Sequence, residues 1–131
     1  MASKPSFPGL PPVSVGVNMT SADNGLWKTI FACPAGGSGV LVGRLRGVSN
    51  DSAGLHLKLA RVIGGTNYPV GFTVIPAGAG DSAAVGWKDI LSDLNQGESL
   101  ALAPGESLSV YLASAITSGK QVTVHLEGAP L

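Results

Sequence analysis

Charge is scarce in this 131-residue chain: Asp, Glu, Lys and Arg make up 12% of it, against roughly 25% in an ordinary globular protein. A domain with so few charges must cover its surface with Ser, Thr, Gly and apolar groups, a composition that favours contact with other protein surfaces. The eight basic residues balance the eight acidic ones. With no excess positive charge to neutralise phosphates or anionic lipid, neither nucleic acid nor a membrane surface is an expected partner. Cysteine is nearly absent as well. Cys33 stands alone, which excludes an intrachain disulfide and a Cys-x-x-Cys site. No run approaches the roughly 18 apolar residues of a membrane helix, and the start Met1-Ala2-Ser3-Lys4-Pro5 lacks the apolar stretch of a secretory signal. The chain is therefore expected to be made in a cytoplasm, where the sequons Asn18-Met19-Thr20 and Asn50-Asp51-Ser52 carry no meaning.

What the chain has is punctuation and alternation. Its length suits one domain, and from Leu26 onward short apolar runs are separated by clusters such as Pro34-Ala35-Gly36-Gly37, Ser49-Asn50-Asp51 and Pro76-Ala77-Gly78, the spacing of an all-β sandwich or barrel. Leu55-His56-Leu57-Lys58-Leu59 puts three leucines on one face of a strand and two polar side chains on the other; 108–112 and 122–127 repeat the pattern. Residues 26–32, 40–48, 68–75 and 82–87 are further strand candidates. Gly97-Glu98-Ser99-Leu100 and Gly105-Glu106-Ser107-Leu108 read as the same turn-then-strand step used twice, far too close together for a repeat architecture. Only residues 87–94 show helical spacing, with Ile90, Leu91 and Leu94 on one face over a turn or two. The expected fold is an antiparallel β-sandwich, jelly-roll-like, of about seven or eight strands over residues 25–131.

Residues 1–24 differ. Four prolines, Pro5, Pro8, Pro11 and Pro12, rule out a helix and a sheet interior, so this segment reads as an extended arm. Phe7, Leu10 and Val13 are more apolar than a solvated tail needs and suit docking on a neighbour. On this reading, deleting residues 1–24 leaves a folded domain and weakens assembly.

Candidate chemistry is thin. His56 and His125, the only histidines, fall on the polar faces of strands without further ligands at metal-site spacing. Cys33 has no charged neighbour to lower its pKa and reads as a buried small hydrophobe. Gly36-Gly37-Ser38-Gly39 and Gly78-Ala79-Gly80-Asp81 lack the Lys-Ser or Lys-Thr step of a phosphate loop, and Val40 spoils a nucleophile elbow around Ser38. Asp89, Asp93 and Glu98 fit no calcium loop. No catalytic residue, cofactor site or metal site is assigned, and the chain reads as a protein that is not an enzyme. Trp27 and Trp87 are interface candidates in a chain with 5% aromatics, since tryptophan is enriched at contact centres. Arg44 and Arg46, at i and i+2, share a strand face and with Arg61 could pair across a subunit boundary with Glu98, Glu106 or Glu127.

The run Trp27-Lys28-Thr29-Ile30-Phe31, the stretch from Leu41 to Asn50 and the turn Pro104-Gly105-Glu106-Ser107-Leu108 together resemble small structural proteins of tailed bacteriophages. The resemblance covers roughly residues 26–128. It implies a capsid decoration or cement protein on the virion surface: a homotrimer that binds the major capsid protein of the assembled shell and stabilises capsomer junctions, with a terminal arm to clasp a neighbour. A tail, collar or fibre-base protein is the alternative in the same class. A carbohydrate-binding sandwich, with Trp27, Trp87, Tyr68 or Tyr111 as stacking platforms, is the alternative from another.

Overall fold

The computed structural model describes residues 12–81, 85–94 and 99–131. It is an all-β sandwich of two antiparallel sheets. In chain order the described strands are β1 (Val13–Met19), β2 (Trp27–Ala32), β3 (Val40–Ser49), β4 (Leu55–Ile63), β5 (Thr66–Ile75), β6 (Lys88–Asp89), β7 (Leu100–Leu102), β8 (Ser107–Leu112) and β9 (Val122–Pro130), with one helical turn, α1 (Ile90–Asp93), after β6. One sheet runs β1-β9-β3, with β6 and β7 pairing different stretches of β3; the other runs β2-β8-β4-β5.

The alternation expected for the strands is what closes the sandwich. Leu55, Leu57 and Leu59 of β4 and Val122, Val124 and Leu126 of β9 are fully buried between the sheets, joined there by Leu45, Ile75, Leu108 and Val110. Between the sheets α1 and the residue after it add Ile90, Leu91 and Leu94 to this core, all buried, and α1 touches β3 and β5. Two glycines make room for it. A Cβ on Gly71 would stand 2.5 Å from Leu94 Cδ2 and 3.0 Å from its Cα, and one on Gly47 would meet the ends of Ile75 and Ile90.

Three expectations change against this architecture. The arm does not run to residue 24. Residues 1–11, including Phe7 and Leu10, lie outside the described residues, but Val13–Met19 is extended because it is an edge strand, paired with β9 from Val13↔Gly128 to Met19↔Val122. Met19 is fully buried, and Val13, Val15 and Val17 pack against the core. Prolines keep residues out of a sheet interior and leave an edge open to the strand that follows them. The strand expected at 82–87 is the second change: 82–84 lie outside the described residues, Val85 makes an isolated bridge, and regular pairing begins only at Lys88. Third, β4 and β5 reach past their expected ends to a two-residue hairpin, Gly64-Gly65, where both residues have positive φ (58° and 81°). That is the backbone a tight hairpin turn needs and glycine supplies without steric cost.

The loops that follow β3 and β8 are tied by side chains. Asp51 is buried; its carboxylate accepts from the Thr117 N–H at 2.8 Å, the Thr117 hydroxyl at 3.0 Å and the Ala53 N–H at 3.1 Å. Those bonds hold the carboxyl below its ordinary value, outweighing the opposing effect of burial. Asn50 and Asn24 clamp the same 113–121 loop, accepting from Gln121 N and Ile116 N at 2.8 Å each.

Candidate functional site

The outer faces of the two sheets differ in chemistry, and that difference locates the site. On the five-stranded sheet the outward positions of β1, β9 and β3 are mostly polar, with Ser14, Asn18, Thr123, His125, Glu127, Arg44 and Arg46 beside the apolar Leu41, Val48 and Ala129. Arg46 is hydrogen-bonded in an ion pair with Glu127 and lies 5.0 Å from the centroid of Trp87. Glu127 is thus neutralised within the face, while Arg44 has no carboxylate partner among the described residues.

The outer face of the four-stranded sheet does not have that character. Its strands set one row of side chains in register: Trp27 of β2 opposite Tyr111 of β8, Tyr111 opposite Lys58 of β4, and Lys58 opposite Phe72 of β5. At about 4.8 Å per strand the row is roughly 14 Å across. The neighbouring rows carry His56 and Val74 on one side and Thr29, Ser109, Ala60 and Pro69 on the other. No carboxylate stands on these three rows. Trp27 is 40% exposed and Phe72 45%, large values for side chains of this size in a folded domain. The Trp27 and Tyr111 rings meet at 5.2 Å with a 44° tilt, His56 lies 5.4 Å from Phe72, and the Lys58 ammonium sits 5.9 Å from the Tyr111 centroid. Between Trp27, Lys58, Pro69, Gly71 and Phe72 lies an open groove of about 400 Å³.

Period-2 alternation builds this surface. Leu57 and Leu59 point inward and therefore send Lys58 outward; Thr73 and Ile75 do the same for Phe72 and Val74. Thr73 is polar yet buried because its hydroxyl donates to Asp93 at 2.7 Å. Burial pushes the Asp93 carboxyl up, and that bond together with Lys88 at 3.0 Å outweighs it, leaving it below its ordinary value.

The residues singled out in the sequence are therefore divided. Trp27 belongs to the aromatic row. Trp87, 50% exposed, stands with Arg44 and Arg46 on the opposite sheet, lining an open cleft of about 340 Å³. Val13 lines an apolar cavity of about 150 Å³ with Phe31, Cys33, Val40 and Pro130, and Cys33 is buried. The pairing expected across a subunit boundary forms within the chain: Arg46 with Glu127, and Arg61 with Glu106 at 3.7 Å. β9 and β8 bring those acids beside the arginines, and Glu98 lies outside the described residues. His56 and His125 are exposed on different sheets, and among the described residues no three His, Cys, Asp or Glu side chains come together. Phe72 and Lys58 were not singled out as site residues. The signal for Phe72 was available, as an aromatic residue at the outward position of a strand whose inward partners are Thr73 and Ile75.

No family model matches the chain, and no curated protein matches it. Among solved structures it is similar to a chain of the capsid asymmetric unit of cyanophage Pam1, at 17% identity and a TM-score of 0.49, with 100% of this chain and 92% of that chain covered.

Proposed function

We propose that this chain is a structural protein that acts by assembly, a virion component of the capsid-decoration type, and that it meets its partner through the outer face of the four-stranded sheet. The observation that carries this reading is the uncovered row Trp27, Tyr111, Lys58 and Phe72, on a chain with 12% charged residues. Exposed aromatic side chains grouped on one flat face mark a contact surface, and a few such anchors supply most of the binding free energy of an interface. The resemblance of residues 27–31, 41–50 and 104–108 to phage structural proteins supports the virion assignment. Trimerisation, seating at capsomer junctions and the major capsid protein as partner are the finer parts of the proposal. The decoration role needs no reaction: each subunit that binds the closed shell stabilises it by mass action.

The test is a sedimentation titration of purified protein onto shells prepared without it. Saturable binding is expected. Trp27→Ala or Phe72→Ala should weaken it about tenfold or more, whereas Arg44→Ala on the opposite sheet leaves it within about twofold of wild type. Failure of the intact protein to bind, or equal loss on both sheets, counts against the reading. The Trp27–Tyr111 pair also favours a carbohydrate-binding role, because sugar rings stack on exposed aromatic faces. Glycan-array binding lost in Trp27→Ala would move the assignment there.

A further inference from the structure

Lys58 is the point at which the proposed contact surface specifies its partner. Four of the described basic residues have a carboxylate within the chain: Lys28 with Asp23 at 3.3 Å, Arg46 with Glu127, Arg61 with Glu106 at 3.7 Å and Lys88 with Asp93 at 3.0 Å. Lys58, Arg44 and Lys120 have none among the described residues, and of these three it is Lys58 that stands in the aromatic row. Its cross-strand neighbours are Tyr111 and Phe72, its same-face neighbours along β4 are His56 and Ala60, and Trp27 closes the groove. The cation stands in the middle of the most apolar exposed face, without an anion on that face.

If the face is covered by a partner, this arrangement sets a condition. Removing a lysine ammonium from water without an opposite charge is strongly unfavourable, and the ring of Tyr111 recovers only part of the loss. A purely apolar partner would therefore be rejected by the residue at the centre of the patch. We infer that the partner is a protein surface presenting an Asp or Glu carboxylate, flanked by apolar side chains, which enters the groove between Trp27 and Phe72 and pairs with Lys58. The inference rests on the assembly reading and deepens it. The aromatic rim would exclude water from the pair, which strengthens the attraction and makes Lys58 a determinant of specificity.

The experiment repeats the shell titration with Lys58→Met, which keeps the apolar stem and removes the charge, and with Lys58→Arg, which keeps the charge, over a series of salt concentrations. Lys58 is exposed, so both variants should melt with the wild type. Expected is a loss of about tenfold or more in Lys58→Met with a flatter salt dependence, and little loss in Lys58→Arg. Binding of Lys58→Met as tight as wild type, with an unchanged salt dependence, overturns the inference and leaves the assembly reading intact, because the stem alone would then suffice. Failure of wild type to bind shells overturns both. Binding of wild type to acidic oligosaccharides, lost in Lys58→Met, also overturns the inference by assigning the groove to a sugar acid.

Discussion

At the scale of single residues, buried polar groups decide which loops are held. Asp51 is the clearest case, since three donors converge on its carboxylate from two loops. Its folded pKa is depressed below the ordinary 3.8, so the stabilisation it contributes is fully present above that value and is lost as pH falls through the lower folded value. Asp51→Asn replaces one acceptor oxygen with an amide that donates toward a donor. It should melt several degrees below wild type at pH 7, and the gap should narrow as pH drops below 4 in parallel thermal melts. A gap independent of pH would mean that Asp51 acts by shape alone. Asn50-Asp51 was legible in the sequence as turn chemistry; its role as an anchor for residues 113–121 was not, because that partner lies more than 60 positions away.

At the scale of elements, alternation carried most of the reading. The leucines of β4 and the valines of β9 point inward as their spacing predicts, and the α-helical turn α1 falls inside the segment with helical spacing, whereas the 3-10 turn at Ser21–Asp23 had no such signal. Where the reading failed, long-range pairing overrode local composition. The prolines up to Pro12 suggested an arm through residue 24, yet Val13, Val15, Val17 and Met19 already alternate in period 2 and find β9 to pair with. The Gly64-Gly65 signal for a tight hairpin was also present, and it fixes the register of β4 against β5 from Ile63↔Thr66 to Ala60↔Pro69, beyond which a bulge shifts it by one residue. Removing residues 1–24 strips Met19 and three valines from the sandwich and exposes a new edge at β9. Burial of those side chains is worth about 5 kcal/mol or more, comparable to the whole net stability of a small domain. The truncated chain is therefore expected to show no cooperative melt by circular dichroism. A cooperative transition near the wild-type temperature would mean that β1 is dispensable and the arm boundary at residue 24 stands.

At the scale of the whole molecule, the two sheets divide the labour. One carries a mostly polar outer face with the Arg46–Glu127 ion pair; the other leaves an aromatic row uncovered, with Lys58 in it unpaired among the described residues. The candidate site was only partly legible because Trp27, Tyr111, Lys58 and Phe72 come from four strands and become neighbours only through the order β2-β8-β4-β5, which no local pattern encodes. The central claim is that this face is covered in an assembled particle. The most direct measurement of the proposed virion role is the copy number of the chain in purified phage particles from cells that produce it, by quantitative mass spectrometry against the major shell protein. A ratio near one per shell subunit is the predicted result, a small fraction would move the chain to the tail, and its absence from particles would contradict the account.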